Sequence, residues 1–215
     1  RQGVYPETEE GAWDEPVALD AAPIYANAPD LVVADWASRS LTVLANEGQG
    51  RFAGRRQELF IGHAVEDVHA ADLDADGDVD LAVADGDAPS ITVLYNNGQG
   101  TFNVRNAYEV GSGPVALSSA NLDEDGHRDL VVANRGSGTV SLLRNNRQGG
   151  FLPRQDYAVG AAPGALALAD VDADGDEDLL VADRDGRAIL SLLNDGQGRL
   201  VQGQTLQLQS APADL

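Results

Sequence analysis

The stretch "ADLDADGDVDLAVAD", residues 71–85, decides the fold. Asp72, Asp74, Asp76, Asp78 and Asp80 occupy alternate positions, Gly77 interrupts them, and an apolar run follows at once. Five carboxylates so close together repel one another at neutral pH, so the run calls for a cation or a solvated turn. The template returns in "NLDEDGHRD" (121–129) and "DVDADGDED" (170–178), giving D/N-x-D-x-D-G-x-x-D three times. Each copy leads straight into "DLAVAD", "DLVVAN" or "DLLVAD".

The repeat extends well beyond the loops. "NEGQG", "NNGQG", "NNRQG" and "NDGQG" place Gln49, Gln99, Gln148 and Gln197 at intervals of 50, 49 and 49 residues. Each unit opens with a segment such as "GPVALSSA" (113–120), then the acidic loop, the D-L-x-V-A segment, and a third such as "SITVLYN" or "TVSLLRN". The third segment reads as a half-buried strand, and the Asn- and Gly-rich stretch after it tolerates the positive φ of a hairpin turn. A fourth strand such as "TFNVRNAYEV" closes the unit. Four short strands in about 49 residues, without helical periodicity, predict an all-β fold, a β-propeller of four-stranded antiparallel blades. The expected blades are 16–62, 63–112, 113–161 and 162–210, with 1–15 as a stub strand of a preceding blade and 211–215 as the start of a next one. Two stubs around four blades suggest a segment of a larger ring, for example one of seven blades, or a chain that completes its ring with a partner.

In each loop, side chains 1, 3, 5 and 9 and the carbonyl of residue 7 can converge on one centre, with glycine at 6 permitting the bend. Calcium takes six to eight hard oxygen ligands at about 2.3–2.6 Å. The candidate ligands are Asp72, Asp74, Asp76, Asp78 and Asp80; Asn121, Asp123, Asp125, His127 and Asp129; and Asp170, Asp172, Asp174, Asp176 and Asp178. Asp78, His127 and Asp176 would contribute backbone carbonyls. Val83, Val132 and Val181 stand where an EF-hand needs its bidentate Glu, and magnesium, which retains waters, suits the set less well. About three Ca²⁺ sites are therefore expected, the one with the neutral Asn121 being weakest. The first unit carries "DAAPIYANAP" in place of the acidic loop.

Composition narrows the function. The 215 residues contain no cysteine, which removes disulfides, thiolate metal sites and thiol catalysis. Fourteen arginines, no lysine and 35 acids give a formal charge of −21, which opposes nucleic acid and anionic lipid alike. No apolar run approaches the ~18 residues of a membrane span. A chain that starts at Arg1 with no methionine reads as a processed piece, so a missing signal peptide does not argue against export. Arginine without lysine on an acidic chain fits a base-composition bias or a high-salt habitat.

The D-L-x-V-A run after each loop, the joints "GSGP" (111–114) and "GAAP" (160–163), and Phe52, Phe102 and Phe151 resemble the FG-GAP or VCBS repeat family. That family includes the propeller of integrin α subunits and many secreted bacterial and fungal proteins. The resemblance covers nearly the whole chain and implies calcium loops joining the first two strands of three blades. The Phe-Gly pair is not present in order, and the first unit has no calcium loop.

His63, His69 and His127 show neither metal-ligand spacing nor a Ser-His-Asp pattern, and G-x-S-x-G is absent. No catalytic constellation is expected within this chain, although some relatives in the family are lyases or dehydratases. The loops between second and third strands gather Trp36, Arg39, Arg135, Arg184 and Arg187, residue types favoured at binding faces. The alternative is that Trp36 packs between blades and the arginines pair with aspartates. The resulting expectation is a calcium-stabilised extracytoplasmic propeller (extracellular, periplasmic or at the cell surface) that binds a protein partner or supports a larger assembly. A carbohydrate-binding lectin and the non-catalytic propeller of a secreted enzyme are the alternatives.

Overall fold

A computed structural model describes residues 15–25 and 28–212. The expected stub at 1–15 lies outside the described residues except for Glu15, as does the expected start of a next blade except for residues 211 and 212. Among the described residues sixteen strands form four antiparallel sheets, each a simple meander. Blade 1 comprises β1 (Pro16–Ala22), β2 (Asp30–Asp35), β3 (Ser40–Leu44) and β4 (Arg56–Phe60). Blade 2 comprises β5 (Val65–Ala71), β6 (Asp80–Asp85), β7 (Ser90–Tyr95) and β8 (Val104–Glu109). Blade 3 comprises β9 (Pro114–Ala120), β10 (Asp129–Asn134), β11 (Thr139–Leu143) and β12 (Gln155–Ala158). Blade 4 comprises β13 (Pro163–Ala169), β14 (Asp178–Asp183), β15 (Ala188–Asn194) and β16 (Leu200–Gln207). The described chain is all-β, a four-bladed propeller array in which β1 neighbours β5, β5 neighbours β9 and β9 neighbours β13.

Burial explains the sequence pattern. Side chains alternate across a strand, so a strand lying between two blades is apolar on both faces. Leu81 and Val83 of β6 turn towards blade 1 and pack with Val32, Ala34, Leu41 and Val43. Ala82 and Ala84, between them in sequence, turn towards blade 3 and pack with Leu130 and Val132. A third cluster, with Val131, Leu142, Val181 and Leu190, joins blades 3 and 4. Every residue of β6 and of β10 is buried. The third strands, expected to be half-buried, are also largely covered: β11 buries all but Thr139, because blades stack on both sides of it. Phe102 and Phe151, just beyond the hairpin turns, fold back into these interfaces, and Phe151 meets Tyr108 edge-on at 5.2 Å between centroids.

The second strands begin and end with polar residues. At their far ends, Asp85 accepts the Ser90 hydroxyl at 2.8 Å and Asp183 accepts the Gly186 N–H at 3.2 Å, fastening the turn into the next strand. The near ends shape the candidate site.

Candidate metal centre

The first residue of each second strand is the ninth loop position, and backbone amides engage both of its carboxylate oxygens. Asp80, fully buried, accepts the Leu73 N–H at 3.0 Å and the Asn96 N–H at 2.8 Å. Asp129 accepts from Leu122 at 3.2 Å and Asn145 at 2.8 Å, and Asp178 from Val171 at 2.9 Å and Asn194 at 2.8 Å. Asp30, in the blade without an acidic loop, accepts from Ile24, Tyr25 and Asn46 at 2.9, 2.8 and 2.7 Å. This aspartate thus ties the loop to the turn after the third strand whether or not the other carboxylates are present. Burial pushes Asp80 up to about 7 and Asp129 up to about 6, with nearby loop carboxylates adding to the rise and the amide bonds opposing it.

The asparagine opening each hairpin turn has a role that the sequence reading did not assign. Asn145 Nδ2 donates to the Leu73 carbonyl of the preceding blade at 2.8 Å and to the Arg128 carbonyl at 3.1 Å. Asn194 repeats this with Leu122 at 2.9 Å and Glu177 at 3.3 Å, and Asn96 with Val79 at 3.1 Å and Ile24 at 3.5 Å. Each of these three amides bridges two blades at the loop end of the array.

The remaining acids gather in two places. Oxygens of Asp72, Asp74 and Asp80 lie within 4.8 Å of one another, as do those of Asp170, Asp172 and Asp174. All three loops share one backbone course: the fourth residues Ala75, Glu124 and Ala173 have φ of 63, 54 and 65°, and the sixth, Gly77, Gly126 and Gly175, 95, 89 and 104°. Asp72 Oδ2 accepts the Gly77 N–H at 3.1 Å, while Asp72 Oδ1 is buried without a hydrogen-bond partner. A buried bare carboxylate oxygen among like charges is costly unless a cation meets it. Burial and the Asp76 charge raise the Asp74 carboxyl, a further sign of uncompensated negative charge. This oxygen-only cluster fits the calcium that the resemblance implies, and bound there the ion would supply charge compensation and hold the loop. The blade 4 trio is more open, and both Asp170 oxygens already accept amides, from Ala173 at 2.7 Å and Gly175 at 3.1 Å. Asp178 stands outside that trio, and Asp76, Asp78 and Asp176 lie outside both. Among the described residues the acids of the blade 3 loop form no such trio; Asp125 is paired with Arg147 instead.

Opposite the acidic loops, the turns between second and third strands carry the arginine and tryptophan set. Trp36 is 44% exposed, and Arg39, Arg135, Arg184 and Arg187 are all exposed, so Trp36 does not pack between blades. Arg39 lies 3.7 Å from Asp87, which also bonds His63 Nδ1 at 3.0 Å. The folded chain brings together one grouping that the linear sequence concealed. His69 Nε2 lies 2.9 Å from Ser119 Oγ, and its Nδ1 lies 3.6 Å from Asp20. These residues come from the innermost strands of three successive blades. Ser119 is buried and also approached by Arg128 at 3.4 Å, so the group reads as an inter-blade polar link.

A model of the FG-GAP-like repeat matches residues 27–83 and 121–181. The chain belongs to the FG-GAP-like repeat family. No curated protein matches it in sequence. Among solved structures it is similar to BBS1N in complex with ARL6DN, at 17% identity and TM-score 0.65, covering 93% of this chain and 59% of that one. A streptogramin B lyase is similar at 15% identity and TM-score 0.64, covering 90% and 55%. A protein from Bacteroides uniformis, described as a 6-phosphogluconolactonase candidate, is similar at 12% identity and TM-score 0.67, covering 91% and 56%. The FG-GAP-like chain spans less than two thirds of the length of these structures, and at such identities the likeness concerns the fold.

Proposed function

We propose that this FG-GAP-like chain is a calcium-stabilised, extracytoplasmic β-propeller module that works as a binding or structural part of a larger assembly. The observation that carries the reading is the uncovered face of blade 4. Val171 is 45% exposed, whereas its counterparts Leu73 and Leu122 are fully buried beneath the following blade. Leu180, Ile189, Leu193 and Leu206 extend this face into a groove of about 460 Å³. The Asn145 and Asn194 bridges show what such a face receives elsewhere in the array: another blade of the same kind. Val17, Leu19 and Phe60 leave blade 1 similarly apolar at the other end. Calcium supports the module through the Asp72, Asp74 and Asp80 cluster, and the millimolar range of extracellular calcium modules suits an extracytoplasmic setting.

Scattering-derived mass at micromolar concentration tests the assembly. Self-association that Val171→Asp with Leu206→Asp abolishes is expected. A monodisperse 22.5 kDa monomer that stays folded with this face bare would overturn it.

A second reading, a glycan-binding module, draws on a groove of about 360 Å³ beside Asp74 lined by Asn97, Asn103, Asn106 and Gln148. Neutral amides with no cation among them suit hydroxyl groups. Retention on immobilised glycans that is lost in Asn103→Ala/Asn106→Ala would favour this reading over the first.

A further inference from the structure

Blade 3 departs from blades 2 and 4 at three positions that belong together. Its loop begins with Asn121 where the others have Asp72 and Asp170, and its seventh residue is His127 in place of Asp78 and Asp176. Its turn carries Arg147 where the others carry Gly98 and Gly196. In their own blades those glycines face the aspartate at the seventh loop position. A Cβ at Gly98 would stand 2.6 Å from Asp78 Oδ2, and one at Gly196 would stand 2.6 Å from Asp176 Oδ2. The repeat therefore presents two matched sets, aspartate over glycine and histidine with arginine.

In blade 3 the arginine reaches back into the loop. Arg147 Nε donates to Asp125 Oδ2, and the Asp125 side chain is only 4% exposed. Asp125 also accepts the His127 N–H at 2.8 Å. Burial alone would raise its carboxyl, but that amide and the guanidinium outweigh burial and hold it below the ordinary carboxylate range. In blade 4 the counterpart of Asp125 is Asp174, one of the metal trio.

Asn121 contributes independently. Its Oδ1 accepts the Gly126 N–H at 3.1 Å, the bond that Asp72 Oδ2 makes to Gly77 and Asp170 Oδ2 makes to Gly175. That fixes the amide orientation and leaves Nδ2, a donor, where Asp72 presents its bare Oδ1. An amide nitrogen carries no lone pair for a hard cation.

We propose that Arg147 is a built-in counter-cation: its guanidinium does in the blade 3 loop what calcium does in the loops of blades 2 and 4. The chain then binds two calcium ions rather than three, and blade 3 keeps its loop closed at any calcium concentration. This rests on the calcium reading above.

Calorimetric titration of calcium chloride into chelator-stripped protein tests it, comparing the parent chain with Asn121→Asp/Arg147→Gly, which restores the blade 2 pattern. Two sites are expected in the parent and three in the double variant. In chelator, Arg147→Gly alone is expected to melt below the parent, because Asp125 loses its ion-pair partner. Three sites in the parent, or no added site in the folded double variant, would overturn the inference while leaving calcium stabilisation standing. No site in the parent but one in the double variant would overturn the calcium reading and support the role of Arg147. No binding by either chain would overturn both. If the double variant fails to fold, the parent stoichiometry decides.

Discussion

Truncating Asn145 to alanine should unfasten blade 3 from blade 2. Its amide satisfies the Leu73 and Arg128 carbonyls, and its Oδ1 accepts the Arg147 N–H at 2.9 Å, all in a site where Asn145 is buried. Removing a partner from a buried polar group costs roughly 1–3 kcal/mol per group. With two carbonyls stranded and Arg147 N–H open to solvent, about 3 kcal/mol of stability should be lost. For a chain of this size each kcal/mol shifts the melting point by roughly 2–4 °C, so a fall of about 6–12 °C is expected. Asn46 is the internal control, because among the described residues its Nδ2 donates only to the Pro29 carbonyl, at 2.9 Å in an exposed setting, while its Oδ1 accepts the Gly48 N–H at 2.8 Å much as Asn145 accepts from Arg147. Asn46→Ala should cost under about 1 kcal/mol. Urea denaturation at saturating calcium, with all variants compared at one protein concentration, measures both. Equal losses in the two variants would refute the inter-blade bridge as the reason for the repeated asparagine.

Asp30→Ala should destabilise blade 1 by about 2–4 kcal/mol with or without calcium, since three backbone amides lose their acceptor; a loss appearing only in calcium would contradict the structural role of the ninth position. A pH prediction follows from Asp67, on the inner strand β5. Burial pushes its carboxyl up to about 6, despite amide bonds from Leu117 and Val68, from an ordinary value of 3.8. The folded state therefore holds the proton where the unfolded state has released it, so stability falls as pH rises from about 4 to 6.5 and stays lower above that. The span is roughly 3 kcal/mol, and Asp67→Asn should flatten that part of the profile, as followed by denaturation in chelator between pH 4.5 and 7.5. An unchanged slope in the variant would show that Asp67 does not carry it.

The fold was legible because the repeat has a fixed period and its second strands are apolar between their end residues. The acidic loops were legible for the same reason, and their shared backbone course follows from glycine at the sixth position. Other features were hidden because identical letters do different work. Asp80 reads as a fifth ligand, yet Asp30 makes the same amide bonds in a blade without the acidic loop, and only the retained "DLVVAD" hinted at this. The turn asparagines read as residues tolerant of positive φ, whereas Asn145 and Asn194 reach across to the preceding blade. Their invariance across all four units was the available signal. Arg147 broke an otherwise constant glycine and could have been noticed on that ground. The Asp20, His69 and Ser119 grouping spans three units at separations of 49 and 50 residues, which a search for a compact motif does not find.

The measurement that bears most directly on calcium stabilisation is the melting temperature of the unmodified chain in excess calcium and in excess chelator, at pH 7.5 and equal ionic strength. Binding to the native state alone adds RT ln(1 + [L]/Kd), about 2.7 kcal/mol per site at a hundredfold excess over Kd. A midpoint several degrees higher in calcium, with about half of that gain lost in Asp72→Ala because the blade 4 trio remains, is the predicted result. Identical midpoints in the two solutions would contradict it.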